Sequence, residues 1–173
     1  ARFAKWRAVI DIADGIPTWT CIKSNAHALA RYARICQQEQ IVPIVEPEVL
    51  MDGDHSTHDI NECYRVTEWT LRSVFRELYD ARVNLEGIIL KPNMIVAGQK
   101  CKTQPSAAEV ADKTVKCLKA TVPSSVPGIA SVSRPIVRGI LRDTTVASKS
   151  YLLLREDRAI LAQQQVGLGR HRG

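Results

Sequence analysis

Lys5, Arg7, Glu46, Glu48 and Lys91 are the side chains whose types and spacing could do covalent chemistry on a carbonyl group. Lys91 follows the apolar run Gly87-Ile88-Ile89-Leu90 and precedes Pro92. An apolar run without alternation fits a parallel strand covered on both faces. Proline cannot donate to a ladder, so the strand is expected to end at the lysine. The carboxyl edge of a parallel sheet or (β/α) barrel is where active sites are built. There a neutral amine can attack a carbonyl carbon and form a Schiff base. A carboxylate within hydrogen-bond reach can move the protons that carbinolamine dehydration needs.

The carboxylates and the second cation come from two earlier strands. Arg2–Ile10 is predicted as a strand with Phe3, Lys5, Arg7 and Val9 on one face, because side chains alternate across a strand. Ile41–Val45 is predicted as another, running into Glu46-Pro47-Glu48, whose carboxylates continue the face of Val42 and Ile44. Pro43 and Pro47 suggest a bulge or an early end to it. All three strands thus carry charge on one parity near their carboxyl ends. Unpaired buried charge is costly, so the set is tolerable only if its members pair with one another. Burial and the like charge of Lys5 favour a neutral Lys91 amine, whereas the glutamates oppose it. The alternative is an ion-pair network that fills the sheet edge and does no chemistry.

The elements that must hold these residues alternate. Gly15 and Pro17 mark a loop, and Ser24 is expected to cap a helix to about Gln40 with Ala26, Leu29, Ala30, Ala33 and Cys36 on its apolar face. A second helix is expected after Ser56 or Thr57 as N-cap, with Asp59 in its first turn, running to about Tyr79. Val66, Trp69, Val74, Phe75 and Leu78 form its apolar stripe. Leu85–Leu90 is the third strand. Ser106 and Glu109 form a capping box for a helix to Thr121, and Val126–Val132 is the fourth strand. The expected fold is therefore α/β, with about four parallel strands and three helices joined by right-handed crossovers. No G-x-G-x-x-G or P-loop is present, so a (β/α) barrel is favoured, of which four strands are only a part.

Composition narrows the function classes. At 45% hydrophobic and 24% charged, the 173 residues suit one globular domain, and no apolar run is long enough to span a membrane. There is no signal peptide, and the absence of an initiating Met suggests a processed chain or a fragment. Five widely spaced cysteines without C-x-x-C argue for free thiols in a reducing compartment. The net charge of +6 is unevenly placed: residues 1–130 hold 16 Lys+Arg against 15 Asp+Glu, and residues 131–173 hold 8 against 3. The near-neutral first part gives no support for a nucleic-acid face. Met51–Asp59 is rich in ligand types, and His55 with His58 offers a transition-metal site as an alternative, but helix punctuation accounts for the segment.

Three motifs carry a family resemblance. Ala4-Lys5-Trp6-Arg7, Val42-Pro43-Ile44-Val45-Glu46-Pro47-Glu48 and Leu90-Lys91-Pro92-Asn93-Met94 resemble class I fructose-bisphosphate aldolase, in the same order and with similar spacing. Asp52-Gly53-Asp54-His55 and Thr121-Val122-Pro123 fit as well. The spacer between Glu48 and Lys91 is slightly longer than the family's, around Ser56–Ile60. The resemblance covers about residues 1–130, the central part of a TIM (β/α)8 barrel, with residues 131–173 an irregular basic tail. It implies metal-free, cofactor-free, reversible cleavage of fructose 1,6-bisphosphate to dihydroxyacetone phosphate and glyceraldehyde 3-phosphate in cytoplasmic glycolysis. Lys91 matches the Schiff-base lysine, Glu46 the principal acid/base, Glu48 and Lys5 its supporting partners, and Arg7 a contact to substrate phosphate. The implied partner is a sugar phosphate, with neither nucleic acid nor membrane, and the family's usual assembly is a homotetramer.

The resemblance also implies what is unmatched. The family's first three strands, with an active-site Asp and a phosphate-side Lys, would precede Ala1. After Ala130 the family continues Phe-Leu-Ser-Gly-Gly-Gln-Ser, where this chain has Ser131-Val132-Ser133-Arg134-Pro135-Ile136-Val137. The later phosphate-binding Arg and the C-terminal Tyr are unmatched too. A codon string for Ser133–Gly139, read one base later, encodes Arg-Gly-Gln-Ser-Ser-Glu-Glu, which suggests a frameshift or mis-joined exon. A basic tail that binds an anionic partner is the rival explanation. The corresponding rival function is a non-catalytic, aldolase-like binding module.

Overall fold

The computed structural model describes residues 1–53, 56–132 and 150–154. Strands β1 (Phe3–Ile10), β2 (Val42–Val49), β3 (Ile89–Leu90) and β4 (Gly128–Val132) pair in chain order, all parallel. Helices α1 (Trp19–Gln38), α2 (Ile60–Asp80) and α3 (Ala107–Thr121) are the crossovers between them. The alternation read from the sequence is therefore the observed order. The basic tail adds β5 (Ser150–Leu154), an apolar run that pairs parallel with β4 from Gly128 to Val132. The metal candidate His55 and the reading of Ser133–Gly139 lie outside the described residues.

One side of the sheet is dry. Ala8, Ile10, Val45, Val49 and Leu90 are buried against Leu29, Ala33, Val66 and Leu78 from α1 and α2. Burying each Val, Leu or Ile side chain stabilises the fold by roughly 1.5–3 kcal/mol. The other face of β1 is open, with Phe3 36% and Val9 44% exposed. Lys5 and Arg7 lie on that open face.

Helix starts differ from expectation at two places. α1 begins at Trp19, not after Ser24, because the Thr18 hydroxyl accepts from the Cys21 N–H and caps the helix more than a turn earlier. Its expected buried stripe is present, with Ile22 added. α2 is capped by Asp59, whose carboxylate accepts from the Glu62 N–H at 2.8 Å; neither Ser56 nor Thr57 is the cap. Asp59 thus answers the helix's unsatisfied donors directly rather than from within the first turn. Trp69 is only partly buried, and Cys63, Thr67, Thr70 and Leu71 widen the buried face instead. α3 starts as expected, with the Ser106 hydroxyl accepting from the Glu109 N–H.

β2 continues through both prolines to Val49 instead of ending near Val45. The Val42 and Leu50 N–H groups donate to β1, so alternate nitrogens, including those of Pro43 and Pro47, face β3. The ladder with β3 spans only Ile44 and Val45, so the prolines interrupt little of it. β3 is shorter than expected because Leu85–Gly87 forms a 3₁₀ turn. The Asn84 side chain accepts from the Glu86 N–H, and Gln37 of α1 clamps the Asn84 backbone through both its amide groups. That commits the chain to a turn before Ile88.

Candidate active site

Parallel register brings the predicted residues together. Val45 pairs with Leu90, so the next residues, Glu46 and Lys91, stand side by side on the open face. Arg7 pairs with Glu46 from the opposite flank. The Lys91 N–H donates to the Val45 carbonyl at 2.8 Å, holding the lysine backbone at the strand end. The Lys91 ammonium then donates to Glu46 Oε1 at 2.5 Å. Lys5 Nζ reaches up from the preceding pair to within 3.1 Å of Glu46 Oε2. That contact is an ion pair outside hydrogen-bond angles, which leaves Oε2 without a hydrogen-bond partner. Arg7 Nε donates to Glu48 Oε2.

Electrostatics around Glu46 are tightly balanced. The residue is 2% exposed, and burial by itself pushes its carboxyl up. The hydrogen bond from Lys91 and the charge of Lys5 outweigh burial and hold the carboxyl below its ordinary range. Glu46 is accordingly a carboxylate at neutral pH, in hydrogen-bond contact with the Lys91 side-chain nitrogen. Lys91 and Glu46 are well covered, whereas half of the Lys5 side chain (52%) is exposed, as is 45% of Arg7. The set therefore combines one covered Lys–Glu ion pair with two cations facing an open surface. Arg7, Glu46, Glu48 and Lys91 line a common pocket with Asp52 and Asn93.

The rim is formed by the loops after β2 and β3. Gln99 N–H donates to the Met51 carbonyl, Lys100 N–H to Ser56 and Gly98 N–H to His58. Gly98 is required there, because a Cβ would lie 2.0 Å from the Ser56 carbonyl oxygen. His58 is buried, with neither ring nitrogen hydrogen-bonded, and burial lowers its pKa against the opposing charge of Asp11. Among the described residues no group of three His, Cys, Asp or Glu side chains could hold a metal ion.

Asn93 is the residue of this site that sequence reasoning had only as part of a motif. Its side chain accepts from the Val49 N–H at 3.1 Å and donates to Thr67 Oγ1 and the Met94 carbonyl, both at 3.0 Å. An amide just beyond a proline-terminated strand was the available signal.

Comparison with known proteins points one way. The family model for fructose-bisphosphate aldolase class-I matches residues 1–137. A probable fructose-bisphosphate aldolase class 1 of Xanthomonas campestris pv. campestris is 60% identical over 133 residues, covering 77% of this chain and 39% of the relative. Human fructose-bisphosphate aldolase B is 53% identical over 131 residues, covering 76% and 35%. Among solved structures, fructose-bisphosphate aldolase from Plasmodium falciparum, crystallised with TRAP and a small-molecule inhibitor, superposes with a TM-score of 0.73 at 47% identity. That match covers 78% of this chain and 39% of the other. The chain spans about two fifths of the length of the curated relatives it matches.

Proposed function

Because the chain belongs to the class I fructose-bisphosphate aldolase family, we propose that residues 1–130 carry the Schiff-base half of an aldolase site, and that residues 131–173 form an atypical basic tail. The substrate is fructose 1,6-bisphosphate, cleaved reversibly to dihydroxyacetone phosphate and glyceraldehyde 3-phosphate. The observation that carries this is the Lys91–Glu46 contact at 2.5 Å on neighbouring strand ends.

The chemistry follows from that contact. Glu46 takes a proton from the Lys91 ammonium, and the freed amine attacks the substrate ketone at C2. The Glu46 carboxyl then protonates the carbinolamine hydroxyl, which leaves as water and gives the protonated Schiff base. The cationic imine draws electrons as the C3–C4 bond breaks, while Glu46, a carboxylate again, takes the C4 hydroxyl proton. Glyceraldehyde 3-phosphate departs and an enamine remains. Protonation at C3 and addition of water at C2 release dihydroxyacetone phosphate and regenerate the lysine. Lys5 stabilises the Glu46 carboxylate between proton transfers, Glu48 supports Arg7, and the exposed Arg7 guanidinium suits a phosphate.

The same reading puts the protein in cytoplasmic glycolysis, with a sugar phosphate as its partner, in a family whose usual assembly is a homotetramer. Among the described residues no helix is long and apolar enough to cross a membrane. A non-catalytic module is the second reading, favoured by the open face around Lys5 and Arg7. Borohydride reduction in the presence of dihydroxyacetone phosphate separates the two. Label on Lys91 and on no other lysine supports the aldolase site. Absence of label on Lys91 leaves the binding module.

A further inference from the structure

After Leu90 the third strand loses its ladder. β3 is two residues long, and Pro92 has no N–H to donate. The Lys91 N–H bond to the Val45 carbonyl is the last main-chain rung between β2 and β3. Continuing the register Val45–Leu90 by four residues, the Val49 N–H would be met by the backbone carbonyl of residue 93. In the structure it is met by that residue's side chain: Asn93 Oδ1 accepts from Val49 N at 3.1 Å. The other end of the same amide is tied down, with Nδ2 donating to Thr67 Oγ1 on α2 and to the Met94 carbonyl. Thr67 is buried, so the anchor is set in the core. An amide oxygen thus stands in for a missing rung; Glu46 and Glu48 lie between that rung and the last main-chain one, which Lys91 itself makes.

We infer that Asn93 is a positioning residue, which holds the ends of β2 and β3 at the spacing that seats the Lys91 ammonium against Glu46. It touches no reacting atom. It acts by supplying from a side chain the strand hydrogen bond to Val49 that the main chain of residue 93 does not make. An alanine there would leave the Val49 N–H without its partner, free the loop after β3, and let Lys91 swing away from the carboxylate. The inference rests on the proposed Schiff-base role of Lys91 for its consequence in catalysis, but not for the geometry itself.

The test is competitive acetylation of the whole 173-residue chain with limiting acetic anhydride at one fixed pH, reading each lysine by peptide mass spectrometry. In Asn93→Ala the Lys91 acetylation rises threefold or more relative to Lys116 and Lys119, because a side chain now 16% exposed is no longer held under cover against Glu46. Asn93→Asp keeps an oxygen for Val49 N–H and shows no such rise. Thr67→Val, the milder variant, changes the acetylation in the same direction as the alanine. Val66→Ala cuts an equally central core contact without touching the amide, and leaves the acetylation unchanged. Unchanged Lys91 acetylation in both Asn93→Ala and Thr67→Val, or an equal rise in Val66→Ala, overturns the inference. Borohydride trapping with dihydroxyacetone phosphate is run alongside, and Asn93→Ala lowers the trapped Lys91 tenfold or more. If the unaltered chain is not trapped while the acetylation changes stand, the aldolase reading fails and the positioning role survives.

Discussion

Lys91 Nζ and Glu46 Oε1 lie 2.5 Å apart although 45 residues separate them in the chain. Two neighbouring strands bring them there, one register step beyond the Val45–Leu90 pair. The contact is fixed from behind by the Lys91 N–H bond to Val45 and is flanked by a second ammonium, Lys5, at 3.1 Å. One carboxylate answering two cations at a strand end is both the stabilising feature of this edge and its chemical opportunity.

Replacing Glu46 should separate those two roles. Glu46→Gln keeps the shape but not the charge, leaving Lys5 and Lys91 close together without a counter-ion. Trapping of Lys91 with dihydroxyacetone phosphate and borohydride should fall by about 10²-fold or more, as expected for loss of a general acid/base. Folding stability at pH 7 should drop by about 1–3 kcal/mol. Trapping within threefold of the unaltered chain would remove Glu46 from the chemistry.

The pH dependence of stability has a definite sign. Burial opposes but does not overcome the Lys91 hydrogen bond and the Lys5 charge, so the folded Glu46 carboxyl titrates below its unfolded counterpart. Fewer protons are bound by the folded state, so the Glu46 contribution is fully present above the unfolded value of about 4.3 and is lost as pH falls through the lower folded one. Urea midpoints of the unaltered chain and Glu46→Gln should therefore differ at pH 7 and converge in acid below pH 4. Glu77, held down by hydrogen bonds from Lys23 and His27, should behave in the same direction. A gap that persists at pH 2 would contradict this.

The start of α1 is testable with two small changes. Thr18→Ala should lower stability by about 1 kcal/mol, because the Cys21 N–H loses its cap. Ser24→Ala, inside the helix, should be neutral or slightly stabilising, since alanine has the higher helix propensity. Equal losses from both changes, read from chemical denaturation, would move the cap back towards Ser24.

Turnover by the 173-residue chain should be far below that of a full-length family member. β1 is an edge of the described sheet, and the face bearing Lys5 and Arg7 is open to water. Open edges invite aggregation. Substrate positioning by surrounding groups can be worth ~7–11 kcal/mol of barrier, and an open face supplies little of it. Fructose 1,6-bisphosphate cleavage within tenfold of the full-length enzyme, assayed side by side, would show that these strands suffice.

Much of this site was written in the sequence by itself. The apolar run ending at Lys91-Pro92 and the odd-numbered charges of residues 3–9 determined strand, parity and strand end, because strand side chains alternate with a period of two whatever surrounds them. The same periodicity marked Glu46 and Glu48, and helical spacing marked the α1 face from Ala26 to Cys36. What the sequence could not decide was each outcome set by a partner distant in the chain. Gln37 clamping Asn84 turned Leu85–Gly87 into a 3₁₀ turn where strand was expected. The shortness of β3 left the two prolines of β2 unopposed, so β2 ran on to Val49. Thr18 and Asp59 won the capping positions over Ser24 and Ser56, a competition between neighbours that each satisfy local capping rules and that only packing resolves. Whether Lys5 or Arg7 would reach Glu46, and that Asn93 would supply the missing rung, depended on register and side-chain reach across strands, and those exist only once the chain is folded.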